Sequence, residues 1–180
     1  MKYLVLISLL CSGTAFGASS PEEVARLYAD ATIRKDWHAA MSYFRTDDLK
    51  RVRAAFSGQL DWLGGEGIRQ IFFNNMPIEE IKQLPDVAFC ETLFSNFFAG
   101  LGAAGGSLKE FSILGLVPDG PNTTYVVMKR KNAMAKLDVE NVDAIGTVRD
   151  AGQWYMTIPK PFEDVMAHWQ NQKLQREAQP

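Results

Sequence analysis

The sequence is poor in residues that bind metals or form disulfides. It holds 2 cysteines and 2 histidines among 180 residues, and they form no paired-cysteine or His-Glu-x-x-His spacing. Zinc sites and catalytic metal centres depend on such spacings. We therefore predict no metal site and no cofactor, and a core that is held together by packing.

An excess of charge of one sign is also lacking. The chain has 19 lysines and arginines against 21 aspartates and glutamates, and its formal net charge is −2. A nucleic-acid-binding protein needs a basic face, and binding to anionic membranes needs clustered basic residues. The balance of charge favours neither partner, and we predict no binding to nucleic acid.

Common catalytic motifs are absent from the sequence as well. It contains no Gly-x-Ser-x-Gly elbow, the turn that positions a catalytic serine in many hydrolases. The glycine-rich run from Gly100 to Gly106 precedes a predicted strand, so it lacks the helix N-terminus that binds phosphates. We interpret that run as a flexible connection, and we assign no catalytic residue.

The apolar run from Tyr3 to Leu10 is too short for a membrane span, which needs about 20 residues. Lys2 precedes it, and Ala15-Phe16-Gly17 places small residues at the −3 and −1 positions of a cleavage site. This order is typical of a secretory signal peptide. We predict that residues 1–17 are removed and that no transmembrane segment remains.

The predicted destination is a bacterial periplasm, which makes this an exported, secreted protein. Cleavage would leave Cys90 as the single cysteine, so no internal disulfide can form. Lipid attachment at Cys11 is a less favoured alternative, because Leu10 is not the small residue that lipoproteins place before the modified cysteine. An uncleaved anchor and a buried N-terminal strand are two further alternatives.

We predict one α+β domain over residues 18–161, followed by a C-terminal helix and tail over residues 162–180. Residues 48–104 are mainly helical by their apolar periodicity, and residues 108–159 form the sheet. Within the helical part, the apolar stretch from Ile68 to Asn74 fits either a helix or a strand. Helices first, followed by strands joined by turns, are typical of an antiparallel sheet with helices packed on it.

Capping residues mark the first helices. Ser20 is a good N-cap, Pro21 suits the first helical position, and Glu23 follows the cap by three residues. Asp36 has the right chemistry to cap a second, short helix. These local signals predict one long helix followed by one short helix.

Turn signals divide the sheet region into extended segments over residues 108–117, 124–131 and 139–158, the last of which fits either one strand or two. The turns are Pro118 to Asn122 and Asp150-Ala151-Gly152. In the first segment, both alternating sets of side chains are partly apolar. We therefore expect each face of the sheet to be covered at least in part.

Three stretches resemble the NTF2-like superfamily, also called the cystatin-like cone. Pro21 to Tyr28 resembles its long first helix, Lys35 to Phe44 the short second helix, and Gly152 to Ile158 the final strand with its turn and tryptophan. The resemblance implies N-terminal helices packed on a curved antiparallel sheet, with an apolar cavity in the cone. Here the cone would carry a helical insertion and a C-terminal helix.

The chain departs from this family in its middle. Family members place a strand pair soon after the second helix, whereas residues 48–101 here read as mainly helical. Enzymes of the family, such as ketosteroid isomerases, use a tyrosine on the first helix, and Tyr28 is similar to it. Their proton-abstracting carboxylate lies on an early strand that this sequence lacks, so the resemblance supplies no catalytic base.

A cone would gather aromatic and polar side chains around its cavity. Small-molecule pockets are usually apolar with one or two orienting polar groups. The candidate ligand-binding residues are Tyr28, Trp62, Tyr125, Trp154, Tyr155 and Arg149. The simpler interpretation is that these aromatic residues belong to the core. Asp61 and Asp138 belong to the same set, and Asp61 and Glu110, which interrupt apolar runs, are the candidates for the buried acid that an enzyme would need.

Two classes of function follow. The first is a non-catalytic binding or interaction module whose partner is an unknown protein or a small apolar ligand. Phe94, Phe97, Phe98 and Trp169 are expected to offer it apolar surface. The second is a cone-pocket isomerase or hydrolase acting on a small apolar molecule. A homodimer through the open sheet face is compatible with both, and we favour the binding module.

Overall fold

A computed structural model describes residues 17–60, 65–103, 107–134 and 137–177. Apart from Gly17, the predicted signal peptide lies outside these ranges, as do Cys11, Asp61 and Trp62. The described helices are α1 (Pro21–Arg34), α2 (Trp37–Ser42), α3 (Thr46–Leu60), α4 (Gly65–Phe73), α5 (Ile78–Gln83), α6 (Asp86–Ala103) and α7 (Lys160–Glu177). The described strands are β1 (Ser107–Pro118), β2 (Thr123–Met134), β3 (Leu137–Asp150) and β4 (Gln153–Met156).

The predicted α+β class is confirmed. The four strands form one antiparallel sheet in the order β1-β2-β3-β4, with helices before it and α7 after it. The third extended segment is split in two by the turn at Ala151 and Gly152, both of which have positive φ angles. The ambiguous stretch from Ile68 to Asn74 belongs largely to α4, so it is a helix.

The predicted caps form as expected. The Ser20 hydroxyl accepts a hydrogen bond from Glu23 N at 3.1 Å, and the Asp36 carboxylate accepts one from Ala39 N at 3.0 Å. The Glu23 carboxylate accepts hydrogen bonds from the hydroxyl and the backbone N–H of Ser19, and these bonds lower its pKa. Backbone N–H groups at the start of α1, which have no acceptor within the helix, are therefore satisfied by nearby side chains.

Helix α6 is the centre of the helical layer and contacts α2, α3 and α4. Phe89, Cys90, Leu93 and Phe94 on this helix are fully buried. A helix that is apolar on most sides is stable only when others surround it. The prediction of a flexible connection starting at Gly100 is wrong, because α6 continues to Ala103. Residues 104–106 lie outside the described part.

Phe44 joins the helical layer to the sheet. Its ring packs edge-on against Tyr28 of α1, with centroids 5.5 Å apart, and lies 5.9 Å from the ring of Phe94 on α6. Phe44 also forms a parallel bridge to Met156, and Met156 N donates to Tyr43 O at 2.8 Å. Phe44 therefore contacts α1 and α6 through its buried ring and the end of β4 through its backbone.

Helix α1 lies across the inner face of the sheet and contacts all four strands. Its buried Ala25 packs against Val126 and Met128 of β2. On the other face, Val142 is 62% exposed and Val117 is 52% exposed. The expectation that both faces are covered is therefore wrong for this outer face, because the long helix that covers the sheet packs on one side only.

The two edges of the sheet differ. The short strand β4 is extended by isolated bridges to Ala18 and Phe44. At the opposite edge, β1 carries two bulges, with Lys109 and Leu114 as the extra residues. Bulges bend a strand and increase its twist. Among the described residues, β1 pairs with β2 alone.

Replacing Phe44 with alanine should destabilise the fold by about 3–5 kcal/mol, because it removes a buried ring and leaves a cavity. The measurement is the free energy of unfolding from urea denaturation. The matched control is Ile71→Ala on α4, where the side chain is 60% exposed and the expected change is within about 0.5 kcal/mol. Equal losses for the two variants would contradict the joining role of Phe44.

Candidate functional site

The register of the sheet decides which side chains share its outer face. Residues directly opposite each other in antiparallel strands point to the same side. Tyr125 lies opposite Val117 and Gly146, and Val127 lies opposite Ala144. We call the apolar members of this face the outer patch. They are Val117, Tyr125, Val127, Val142, Ala144 and Val148.

The outer patch is exposed to solvent, and one position within it lacks a projecting side chain. Three of its members, Val117, Tyr125 and Val142, are large exposed hydrophobic residues. Gly146 replaces a side chain at its centre, where an added Cβ would lie 2.4 Å from the Thr157 hydroxyl. Scattered apolar residues are normal on a protein surface, but contiguous apolar patches mark contact sites.

A row of charged residues borders the outer patch on the same face. Lys129 pairs with Glu140 at 2.6 Å, and Asp138 accepts from Lys109 at 2.8 Å and lies 3.3 Å from Lys131. The hydrogen bond from Lys109 holds the pKa of Asp138 below its usual value, while Asp138 raises that of Lys131. An apolar centre with a polar rim is the usual anatomy of a protein–protein contact.

A second polar group lies on the inner face, beside α1. Arg130 Nε donates to Asp143 Oδ2 at 2.7 Å, and both side chains are about one-third exposed. Burial raises the pKa of Tyr28 to about 12, against the opposing effects of a hydrogen bond with Thr32 and the charge of Arg130. The phenol therefore stays protonated at neutral pH. The Asp143 carboxylate is already paired with the Arg130 guanidinium.

The predicted ligand-binding residues do not share one surface. Tyr28 lies on α1, which covers the inner face, and Trp154 packs against the main core. Tyr125 and Tyr155 are on the outer face by register, and Arg149 is exposed opposite Trp154. Trp62 lies outside the described residues. The structure therefore places Tyr125 in the outer patch, on the same face as Tyr155, and separates both from Tyr28 and Trp154.

Tyr155 lines an open groove between β4 and the start of α3. The groove has a volume of about 210 Å³ and is lined by Arg45, Thr46, Asp47, Asp150 and Tyr155. Pockets for apolar small molecules are more enclosed and mainly apolar. This groove does not fit that description.

The buried acid on α3, Asp48, is paired with two arginine side chains. Asp48 is buried and accepts two hydrogen bonds from Arg45, at 2.7 and 3.0 Å. Arg51 lies 3.5 Å from Asp48 and donates to Glu163 of α7 at 2.9 Å. These bonds raise the pKa values of both arginines and tie α7 to α3. Of the acidic candidates, Glu110 is exposed and Asp61 lies outside the described residues.

The aromatic residues expected to offer partner surface pack inside the protein. Phe94 stacks on Phe162 with ring centroids 4.5 Å apart, and Phe97 packs edge-on against the same ring. Phe98 stacks on Trp37, and Trp169 packs against Phe56. Five of the eight large exposed hydrophobic residues among those described lie on the sheet instead. Val142, Ala144 and Val148, which belong to one alternate set of side chains in β3, are the signal that could have indicated this surface.

The described residues form neither a metal-binding cluster nor a membrane-spanning helix. Across residues 17–60, 65–103, 107–134 and 137–177, no group of three or more histidine, cysteine, aspartate or glutamate residues could hold a metal ion. In the described part of the chain, no helix is both long enough and apolar enough to cross a membrane. Comparisons with protein-family models, curated proteins and solved structures find no match.

In a chain that starts at Ala18, Cys90 should react with thiol reagents only after unfolding. Cys90 is buried, its thiol lies 3.5 Å from Leu49 O, and burial raises its pKa from 9.0 to about 12. Because the thiolate is the nucleophile, we expect modification at pH 8 to be at least about 100-fold slower in the folded protein than in urea. The measurement is the rate of reaction with an aromatic disulfide reagent.

The Cys90 thiol should also make the free energy of unfolding depend on pH. Its folded pKa is the higher one, so unfolding releases a proton between pH 9 and about 12. The free energy of unfolding should fall with rising pH in that window, and Cys90→Ala should reduce the slope. Fast reaction of the folded thiol at pH 8 would show that Cys90 is accessible.

Proposed function

We propose that this protein is an exported, non-catalytic interaction module that binds another polypeptide through the outer patch. The observation that carries the proposal is the exposure of Val142, Val117 and Tyr125 on one face of the sheet. Together with the charged row beside them, they form an apolar centre with a polar rim. The signal-peptide pattern at residues 1–17 supports the periplasm as the compartment.

A polypeptide suits this surface better than a small molecule does. The outer patch lies on the face of a four-stranded sheet, with Gly115 and Gly146 in place of projecting side chains. Small ligands need a concave site that encloses most of their surface. A protein partner can cover an open face and can place its own polar groups opposite Lys129 and Glu140.

We also propose that the fold is a variant of the NTF2-like cone. Two features support this assignment. The first helix crosses all four strands, and the short α2 follows it and leads to the bridge between Phe44 and Met156. The bulges at Lys109 and Leu114 are devices that curve a sheet. Helices α3 to α6 occupy the place where family members carry a strand pair.

The interaction surface can be tested by site-specific photo-crosslinking in cells that export the protein. A photo-reactive amino acid at position 142 should give a discrete adduct, whereas the same probe at position 71 should not. Ile71 is the matched control because it is equally exposed but lies on α4, away from the sheet. An adduct at twice the chain mass would identify the partner as a second copy.

A second substitution makes this test specific. Tyr125→Lys places a charge in the outer patch and should reduce the yield of the adduct from position 142 at least about tenfold, because a lysine is costly to bury in an apolar contact. The free energy of unfolding should change little, since Tyr125 is exposed. An absent adduct, or one that Tyr125→Lys leaves unchanged, would count against the outer patch.

The alternative is a cone-pocket isomerase or hydrolase, and one arrangement favours it. Tyr28 stays protonated beside the Arg130–Asp143 ion pair, and a neutral phenol can donate a hydrogen bond to a developing oxyanion. Native mass spectrometry of the mature chain tests this alternative. A retained small-molecule adduct that Tyr28→Phe removes would support it, and an adduct-free chain would favour the interaction module.

A further inference from the structure

Ala18 pairs with the edge of β4. Ala18 N donates to Trp154 O at 3.0 Å, and Trp154 N donates to Ala18 O at 2.9 Å. Ala18 is 6% exposed and belongs to the main core cluster. Both backbone groups of Ala18, including the nitrogen of the Gly17–Ala18 peptide bond, are therefore engaged in the sheet.

The position before Ala18 has no room for a side chain. A Cβ added to Gly17 would lie 2.4 Å from Gln153 Cβ and 2.9 Å from Tyr155 Cζ. Carbon atoms in folded proteins do not approach this closely. Glycine alone therefore permits residue 17 to remain in place while Ala18 is docked on β4.

The Gly17–Ala18 bond is also the predicted point of signal-peptide cleavage. We infer that this bond can be hydrolysed only before Ala18 docks on β4, so that processing precedes the completion of the fold. The inference rests on the proposed export of the protein. Peptidases cleave exposed and flexible backbone, and here the nitrogen of the scissile bond and the carbonyl of Ala18 are bonded to Trp154.

The reaction itself is a simple hydrolysis. A signal peptidase adds one water across the bond, so that Gly17 leaves as a carboxylate and Ala18 keeps its nitrogen as an ammonium group. The ammonium group still has N–H donors for the Trp154 carbonyl. The next residue, Ser19, donates its backbone N–H and its hydroxyl to the Glu23 carboxylate, and neither bond involves the cleaved peptide. Docking therefore remains available to the processed chain.

The variant Gly17→Ala separates the two roles of residue 17. Alanine is a small residue that signal peptidases accept before the cleaved bond, but its Cβ does not fit beside Gln153. Both precursors would yield the same mature chain, which begins at Ala18. The full-length precursors, folded in a mild detergent, are incubated with purified signal peptidase, and the products are followed by intact mass.

We expect the folded wild-type precursor to be cleaved at least about tenfold more slowly than folded Gly17→Ala, because cleavage follows the population of the undocked segment. Precursors added directly from concentrated urea should be cleaved at equal rates. Adding Gln153→Gly to Gly17→Ala removes the two closest contacts of the new Cβ and leaves only the end of the Tyr155 side chain to shift, so it should restore most of the resistance. Circular dichroism establishes that all three precursors are folded.

Equal cleavage rates for the folded wild-type and Gly17→Ala precursors would overturn the inference. Failure of the peptidase to cut even the urea-unfolded precursors at this bond would overturn the proposed export and, with it, the inference. The urea-unfolded samples therefore distinguish the two failures. A double variant that is cleaved as fast as Gly17→Ala alone would show that the clash with Gln153 is not the cause.

Discussion

The contact between Phe44 and Phe94 is the constraint on which the rest of the structure depends. It joins a central helix that is apolar on most sides to the short segment that extends the sheet beside Met156. Because Tyr28 packs on the same Phe44 ring, the position of α1 is fixed by the same contact. The helical layer and the sheet therefore cannot shift independently, and the core remains closed without a disulfide.

The position of α1 also determines which face of the sheet is free. Its small residues, such as Ala25, allow the helix to lie close to β2 on the inner face. The alternating side chains Val117, Tyr125 and Val142 are then left on the other side. The apolar surface that we assign to a partner is thus a direct consequence of the side on which one helix packs.

The sequence predicts the local elements well because their signals are local. Ser20 and Asp36 cap helices within four residues of themselves, and Ala151-Gly152 makes a turn from its own backbone preferences. The exposed face could not be predicted in this way. Both alternating sets of β1 are apolar, and the choice between them depends on register and on contacts with α1, which is distant in sequence. The candidate ligand residues share aromatic or polar side chains, which the sequence shows, but not a face of the sheet. The register places Tyr125 on the outer face, whereas Trp154 packs against the core.

The two bulges of β1 have a consequence for the behaviour of the protein at high concentration. A long edge strand with apolar side chains is a template on which strands of other molecules can polymerise. The extra residues Lys109 and Leu114 interrupt its regular hydrogen-bonding spacing at two points, and Lys109 adds a charge at one of them. These irregularities oppose fibre growth from β1, which among the described residues pairs with β2 alone. Self-assembly through strand addition is therefore disfavoured, while a contact through the face of the sheet remains available.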